Sequence, residues 1–285
     1  MKNVAHTLPF LIRSHQDLTM ASLCFHSLSK SDPGALVVLY NQGGLSNQEL
    51  QLFLRNYDLQ VQILGDGKNV GIAPARMACF EFIWEYYPSI DYISEIHVDM
   101  IFPKKWICKL VDFLENTEEP IICPGILTLS GELHPEGKGT PVIRQIPLGN
   151  HDQMDELLCS YTANDIVEGF VHPVLHKSKI LKKIGGYDLR FLKGKQGYED
   201  DVLLLNYRYF MGTRFNWRPK CLLSVRVFHA TLFQRMSLPG KEKDFEQNLR
   251  GLIFQFGLKG LIELCEIHQD NTEFPHLVEH MMNSF

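Results

Sequence analysis

Apolar runs that alternate with amphipathic stretches make up the first half of the chain. Continuous apolar runs are typical of buried strands, and apolar residues at helical spacing are typical of surface helices. The pattern predicts strands at 8–13, 35–40, 61–64 and 92–98, and helices at 17–28, 47–56, 72–87 and 105–116. Strands that alternate with helices in this way predict an α/β fold with a mostly parallel central sheet flanked by helices.

The second half of the chain has a less regular pattern. Residues 129–153 are rich in glycine, proline and polar side chains and predict a long loop. Beyond this loop we expect β-structure within 167–175, helices at 177–184 and 199–211, and strands at 215–217 and 222–227. Apolar residues from 241 onward have the spacing of two short helices, so residues 239–285 are expected to form a C-terminal helical extension.

Composition and charge narrow the classes of partner. The formal charge of −5 provides no general basic field, which argues against nucleic acid or an anionic membrane as the main partner. No apolar run approaches the roughly 20 residues that a transmembrane helix needs. The seven cysteines are scattered and lack metal-binding spacing. We therefore expect a cytoplasmic protein with reduced thiols and no transmembrane segment.

One candidate metal site follows the fourth predicted strand. If that strand continues far enough, Glu95, His97 and Asp99 project from the same face. A carboxylate at a strand end suits a hard divalent cation, and a nearby imidazole favours Mn²⁺ over Mg²⁺. His229 closes a later apolar strand and is a candidate ligand for a cation held by Asp99. The alternative is that Glu95 forms a salt bridge and the histidines are structural.

A second acidic cluster, at 199–201, opens a predicted helix. Acidic side chains are favoured at a helix N-terminus by the backbone dipole, which is sufficient reason for their presence. A carboxylate in a closed cleft can also act as a general base, and Asp200 is the best candidate for that role, with Glu199 beside it.

Several other residues are candidates for binding an anionic ligand. Arg13 follows the first strand, and Asn69 precedes a helix N-terminus, where backbone N–H groups favour an anion. Arg76, one turn into that helix, either points toward the same anion or forms an exposed salt bridge. Asn41 and Asp66 follow the second and third strands, and the carboxyl ends of parallel strands meet at one edge of a sheet.

Over residues 6–235 the order and spacing of these residues resemble the GT-A fold nucleotide-sugar glycosyltransferases, particularly the inverting family 2 group. The matching positions are Asn41, Asn69, Gly71, Ala75, Arg76, His97, Asp99, 185–188, Phe191, Gly197, 199–201, Arg208, Gly212 and His229. The resemblance implies a catalytic domain at 1–238, with a nucleotide-sugar-binding part at about 1–125 and an acceptor-binding part at about 126–238.

The resemblance also implies roles for individual residues. Asp99 matches the second acid of an Asp-x-Asp motif that holds a divalent cation, His229 matches an extra metal ligand, and Asp200 matches the catalytic base. The remaining candidates are assigned to the nucleotide sugar: Arg13, Asn41, Asp66, Asn69, Arg76 and His97. The chain departs from the family pattern at His97, which stands in place of the first acid of the motif.

The implied reaction moves a sugar from a nucleoside diphosphate sugar, which in this family is usually UDP-linked, to a hydroxyl of a saccharide, lipid-linked or other acceptor. Direct displacement inverts the anomeric configuration. If the acceptor is lipid-linked, the protein would work at the periphery of a membrane. Two other readings stay open: a nucleotidyltransferase of similar fold, and a catalytically silent nucleotide-sugar-binding or scaffold protein.

Overall fold

The computed structural model describes residues 3–231, 240–269 and 273–282. The strands are β1 (Val4–Phe10), β2 (Ala35–Asn41), β3 (Leu59–Leu64), β4 (Tyr92–Glu95), β5 (Met100–Ile101), β6 (Ile121–Thr128), β7 (Leu133–His134), β8 (Ile166–Glu168), β9 (Val174–Lys177) and β10 (Lys220–His229). The helices are α1 (His15–Ser31), α2 (Asn47–Leu54), α3 (Ile72–Tyr86), α4 (Trp106–Glu115), α5 (His151–Ser160), α6 (Ser178–Ile184), α7 (Glu199–Met211), α8 (Lys241–Ile267) and α9 (Glu273–Met282).

A single twisted sheet forms the centre of the molecule. Its strands follow the order β3-β2-β1-β4-β9-β6-β10-β5, with β7 beside β6 and β8 beside β10. Strands β1 to β4, β6 and β10 run in one direction, and β9 lies antiparallel between β4 and β6. The predicted fold class, a mostly parallel sheet flanked by helices with a helical C-terminal part, is confirmed.

The two faces of the sheet bury two separate cores. Adjacent residues of β2 point to opposite faces, as strand geometry requires, so Val37 packs with α1, α2 and α4 while Val38 packs with α3, α7 and α8. Phe25 and Trp106 are buried in the first core, and Phe80 in the second. The continuous apolar runs of the sequence are therefore explained by helices that cover both faces.

The starts of the helices follow local sequence signals. Ser14 caps α1 and forms a reciprocal capping box with Asp17. Helix α3 begins after Gly71, whose φ of +98° is left-handed. A Cβ at Gly71 would lie 2.8 Å from the Lys195 Cα. Glycine therefore lets the N-terminus of α3 approach residues 194–197, and the Ile72 N–H donates to the Lys195 carbonyl at 2.8 Å.

Several details of the predicted secondary structure are wrong. The first strand, expected at 8–13, lies at Val4–Phe10, because it includes the polar His6 and Thr7, which interrupt the apolar run. The strand expected at 92–98 ends at Glu95, because the chain turns there to form β5, which pairs with the end of β10. The strand expected at 215–217 is instead a short 3-10 helix at Thr213–Phe215, followed by Asn216 in a left-handed conformation. The loop expected at 129–153 contains β7 and the first residues of α5.

The C-terminal helices pack on α7. Instead of two short helices, the extension contains the 27-residue α8, which is kinked at the non-helical Gly257, and the shorter α9. From α7, the buried Arg208 forms ion pairs with Glu263 and Glu266 of α8. The predicted domain boundary at residue 238 lies outside the described residues. Among the helices described, none combines the length and apolar character needed to cross a membrane.

Candidate functional site

A cavity of about 270 Å³ lies at the carboxyl ends of β1, β4 and β10. Parallel strands end at the same edge of the sheet, which brings side chains from distant parts of the chain together. Polar and charged residues that line this cavity include His97, Asp99, His172, Gln196, Asp200 and His229. Both acidic clusters identified in the sequence therefore contribute to one site.

The cavity wall includes His97, Asp99 and His229, here called the His-Asp-His cluster. Each residue offers one ligand atom, and these atoms lie within 4.8 Å of one another. The pairing of β5 with β10 produces this arrangement: Met100 lies opposite His229, and the Ala230 N–H donates to the Asp99 carbonyl at 3.0 Å. As a result, Oδ1 of Asp99 is 3.4 Å from Nε2 of His229.

The donor set of this cluster fits a divalent transition-metal cation. Two imidazoles and one carboxylate suit a cation such as Mn²⁺ better than Mg²⁺, which prefers ligands that are all oxygen atoms. Nδ1 of the buried His229 has no hydrogen-bonding partner among the described residues, so it is not committed to another protein group. The ligand atoms are already gathered, and one ion could be held with small side-chain movements.

Glu95 does not join this cluster, and the prediction that it shares a face with His97 and Asp99 is wrong. Its carboxylate is buried, 3.1 Å from Nε of Arg76 and 2.9 Å from Nε2 of His176, and it accepts a hydrogen bond from Tyr187 at 2.8 Å. Burial alone would raise the pKa of Glu95, but contact with His176 and the charge of Arg76 lower it to about 2. The salt-bridge alternative for Glu95 is confirmed.

The three acidic residues at the start of α7 have three different environments, and two of them, Glu199 and Asp200, line the cavity. Glu199 is buried, whereas the Asp200 side chain is 31% exposed and faces the cavity. Asp201 turns toward the end of α8, where its Oδ1 lies 2.7 Å from Nε2 of His268. Asp200 is thus the member of the cluster that is placed to meet both a ligand and solvent.

His172 is a cavity residue that the sequence reasoning missed. It lies between β8 and β9, with its ring centroid 4.7 Å from that of His97 and its Nε2 3.8 Å from Oδ1 of Asp200. Burial lowers the pKa of His172 to about 3. The negative charge of Glu95 acts against this shift, and the positive charge of Arg76 adds to it. His172 is therefore neutral near pH 7 and separates the His-Asp-His cluster from Asp200 without adding charge.

No local sequence signal identifies His172. Its position depends on β9 running antiparallel to β4, which places the first residues of β9 beside the last residues of β4. A reading that assumes only parallel neighbours puts this segment at the opposite edge of the sheet. In the sequence, His172 lies within the segment 167–175, for which only β-structure was expected.

The residues assigned to the nucleotide sugar are found in several places. Arg76 lines the cavity, but it is fully buried rather than an exposed salt bridge, and it donates to Thr7 Oγ1 at 2.9 Å and to the Ile96 carbonyl at 2.7 Å. Asn69 lines an adjoining pocket that shares Gln196 with the cavity.

The other three candidates lie outside the cavity wall formed by the described residues. Asn41 is buried, and its amide bonds to Leu45, Asn47 and Gly43, so it fixes the turn after β2. Arg13 and Asp66 are exposed. The Asp66 carboxylate accepts a bond from the Lys68 N–H at 3.3 Å.

Comparison with known proteins finds similarity in structure but not in sequence. No protein-family model matches the chain, and no curated protein sequence matches it significantly. Among solved structures, TarS from S. aureus matches with a TM-score of 0.56 and 12% identity, covering 95% of this chain and 44% of TarS. GalNAc-T7 with UDP, GalNAc and Mn²⁺ matches with a TM-score of 0.53 and 13% identity, covering 80% of this chain and 44% of GalNAc-T7.

A shorter form of TarS, residues 1–349 in complex with UDP-GlcNAc, matches over 99% of this chain and 72% of that chain, with a TM-score of 0.52 and 12% identity. The chain thus spans less than half the length of the longer matched structures. TarS and GalNAc-T7 are glycosyltransferases of the GT-A type. At these identities the similarity establishes a shared fold, and the predicted GT-A fold is confirmed.

Proposed function

We propose that this protein is a metal-dependent glycosyltransferase. It would transfer a sugar from a nucleoside diphosphate sugar to an acceptor hydroxyl, with inversion at the anomeric carbon. The observation that carries the proposal is the joint presence, in one cavity, of the His-Asp-His cluster and Asp200. A group that can bind a cation and a carboxylate that can act as a base, both on the wall of one cavity, are the two parts that such a transfer needs.

Asp99 and His229 are the proposed metal ligands, and His97 completes the set. This changes the role of His97, which we first assigned to the nucleotide sugar. A divalent cation bound there supplies positive charge for the diphosphate leaving group. Two imidazole ligands favour Mn²⁺ over Mg²⁺. Mn²⁺ is also present in the structure of GalNAc-T7.

Asp200 is the proposed general base. Its carboxylate would accept the proton of the acceptor hydroxyl as that oxygen attacks the anomeric carbon from the face opposite the diphosphate. Attack from that face inverts the configuration. In the transition state the anomeric carbon has oxocarbenium-like character. The buried Glu199 precedes Asp200 in the chain, and Nε2 of His172 lies 3.8 Å from Oδ1 of Asp200. Because burial lowers the pKa of His172 to about 3, this imidazole would not take the proton from the base near pH 7.

The donor is proposed to be UDP-linked, because TarS has been determined with UDP and with UDP-GlcNAc. Asn69 and Ile72 border the pocket that adjoins the cavity, and the nucleotide part of such a donor is proposed to bind there. Arg76 lines the cavity with a buried guanidinium that pairs with Glu95, and it would act on the donor through its positive charge. Arg13, Asn41 and Asp66 are not among the described residues that line the cavity or the adjoining pocket, and we assign them no direct contact with the donor.

The division of the chain is also a proposal: a catalytic domain at 1–238, with donor-binding and acceptor-binding parts that meet near residue 125, and a helical extension from 239. None of the seven cysteines forms a disulfide. This supports a reducing compartment such as the cytoplasm.

A thermal-shift panel tests the proposed donor and metal together. Nucleotide sugars are screened with and without Mn²⁺, and a ligand that binds only the folded state raises the melting temperature. We expect UDP-sugars to raise it in a Mn²⁺-dependent manner, and Asp99→Ala to abolish the Mn²⁺-dependent part. Equal shifts in the presence of a chelator would refute the metal dependence. Donor binding without any turnover would instead identify a silent nucleotide-sugar-binding protein.

A further inference from the structure

Gln196 carries a buried side-chain amide at the wall of the cavity. The residue is 1% exposed. It lines both the main cavity and the adjoining pocket that contains Asn69. Neither Nε2 nor Oε1 of Gln196 has a hydrogen-bonding partner among the residues that the structure describes. Buried amides are rarely left in this state in folded proteins unless a ligand or water satisfies them.

The backbone around Gln196 is held from outside the cavity by Asn248 of α8. The Asn248 side chain accepts from the Gly194 N–H at 2.6 Å and donates to the Gly197 carbonyl at 2.8 Å and the Gln196 carbonyl at 3.3 Å. Gly194 permits this close packing, since a Cβ there would lie 2.2 Å from the Asp244 carbonyl oxygen. The Gln196 main chain is therefore fixed by the C-terminal helices.

The position of Gln196 indicates which part of a ligand it would meet. Gln196 precedes the proposed base, Asp200, by four positions, and both line the cavity that holds the His-Asp-His cluster. Gln196 lies where the adjoining pocket, which is assigned to the nucleotide, meets the cavity that contains Asp200. In a nucleoside diphosphate sugar the ribose and the hexose lie on the two sides of the diphosphate, and both carry hydroxyl groups that could reach this wall.

The chemistry of the amide matches such a hydroxyl. The amide nitrogen supplies two donors and the oxygen is an acceptor, and a hydroxyl both donates and accepts. We propose that the Gln196 amide binds a sugar hydroxyl of the nucleoside diphosphate sugar and that Asn248 is the positioning residue that holds Gln196 in place. This inference rests on the proposed function, because it takes the ligand of the cavity to be a nucleoside diphosphate sugar.

Calorimetric titration of Gln196→Leu with UDP and with UDP-GlcNAc, each with Mn²⁺, tests the first part. Loss of hydrogen bonds to the amide is expected to weaken binding about tenfold. If only the affinity for UDP-GlcNAc falls, the contact is assigned to the hexose. If the affinities for both ligands fall equally, it is assigned to the ribose. Wild-type affinity of the variant for both ligands overturns the inference.

Gln255→Leu is the matched control, because Gln255 also has a buried, unpartnered amide oxygen but lines a different pocket. Its affinity for both ligands should equal that of the wild type, and a loss similar to that of Gln196→Leu would overturn the inference as a general effect of the substitution. Failure of the wild type to bind either ligand would refute the proposed function itself.

A double-mutant cycle tests the role of Asn248. If Asn248 acts through Gln196, Asn248→Ala should weaken binding in the wild-type background but add little in the Gln196→Leu background. Asn248→Asp, which keeps the acceptor for the Gly194 N–H and loses the amide donors, serves as a second variant if the alanine variant does not fold. Additive losses of affinity would overturn the positioning role.

Discussion

The donor set of the His-Asp-His cluster determines which cation the site should prefer. His97→Asp replaces an imidazole with a carboxylate, which favours a harder cation. We expect the ratio of Mn²⁺ to Mg²⁺ affinity, measured by calorimetry, to fall about tenfold, a difference of about 1.4 kcal/mol. His276→Asp on the exposed face of α9 is the control. An unchanged ratio in His97→Asp would show that His97 is not a ligand.

Glu95 stabilises the wall of the cavity through its buried pairs with Arg76 and His176. Removing one partner of a buried charge pair typically costs about 3–5 kcal/mol, so Glu95→Gln should lower the free energy of unfolding at pH 7 by about that amount. Urea denaturation measures this quantity. Glu81→Gln on the exposed surface of α3 should change it by less than about 0.5 kcal/mol.

The contribution of Glu95 to stability should also depend on pH. Its pKa is lowered from 4.5 to about 2 in the folded protein, so the contribution is fully present above about pH 4.5 and disappears as the pH falls toward about 2. The difference in unfolding free energy between the wild type and Glu95→Gln should therefore shrink across this interval. A difference that stays constant down to the acid-unfolding range would contradict the assigned ion pairs.

At the scale of elements, α8 is attached to α7 by the buried Arg208. Its guanidinium pairs with Glu263 and Glu266 and donates to the Trp217 carbonyl at 2.8 Å. Arg208→Met leaves these carboxylates without their cation and should cost about 3–5 kcal/mol. Because α8 also holds residues 194–197, hydrogen exchange should become faster in both α8 and that loop.

Arg250→Met is the control for this prediction. Arg250 is also on α8, but it is 77% exposed and pairs with Glu246 one turn away. Such a surface pair contributes only about 0.3–0.5 kcal/mol. Equal losses of stability in Arg208→Met and Arg250→Met would show that the buried pairs do not attach α8 to α7.

The elements also show what the sequence could and could not predict. Long periodic segments were predicted well: α7 begins and ends where the pattern places it, and β2 differs by one residue. The parallel pairing of β1 to β4 was also expected from the alternation of strands and helices. The antiparallel pairs of β9 and β5 could not be predicted, because short strands carry little periodicity and their partners are distant in sequence.

The same dependence on contacts between distant segments explains which site residues could be predicted. Asp99, Asp200 and His229 were predicted as site residues because each stands at the end of an element with a clear pattern. His172 and Gln196 lie in irregular segments, and their roles depend on β9 and α8 packing from elsewhere. Asn41 was assigned to the ligand on its position after β2, but its buried amide bonds within the following turn, a detail of side-chain packing that strand order does not determine.

At the scale of the whole molecule, the stereochemistry of transfer tests the arrangement of base and cation. Asp200 and the His-Asp-His cluster line the same cavity from different elements. Displacement from the face opposite the leaving group inverts the anomeric carbon. With water as acceptor, an α-linked UDP-sugar should therefore release the β-anomer first, as followed by proton NMR. Initial release of the α-anomer would contradict direct displacement.

The most direct test of the central claim is the rate of UDP release from a bound UDP-sugar with Mn²⁺, compared between the wild type and Asp200→Asn. The substitution removes the proton acceptor and preserves the shape of the side chain. We predict a rate lower by about 10²–10⁴-fold, the usual contribution of a general base, with unchanged donor affinity and with wild-type activity abolished by a chelator. Wild-type turnover by Asp200→Asn would contradict the assignment of the base and the function proposed for the cavity.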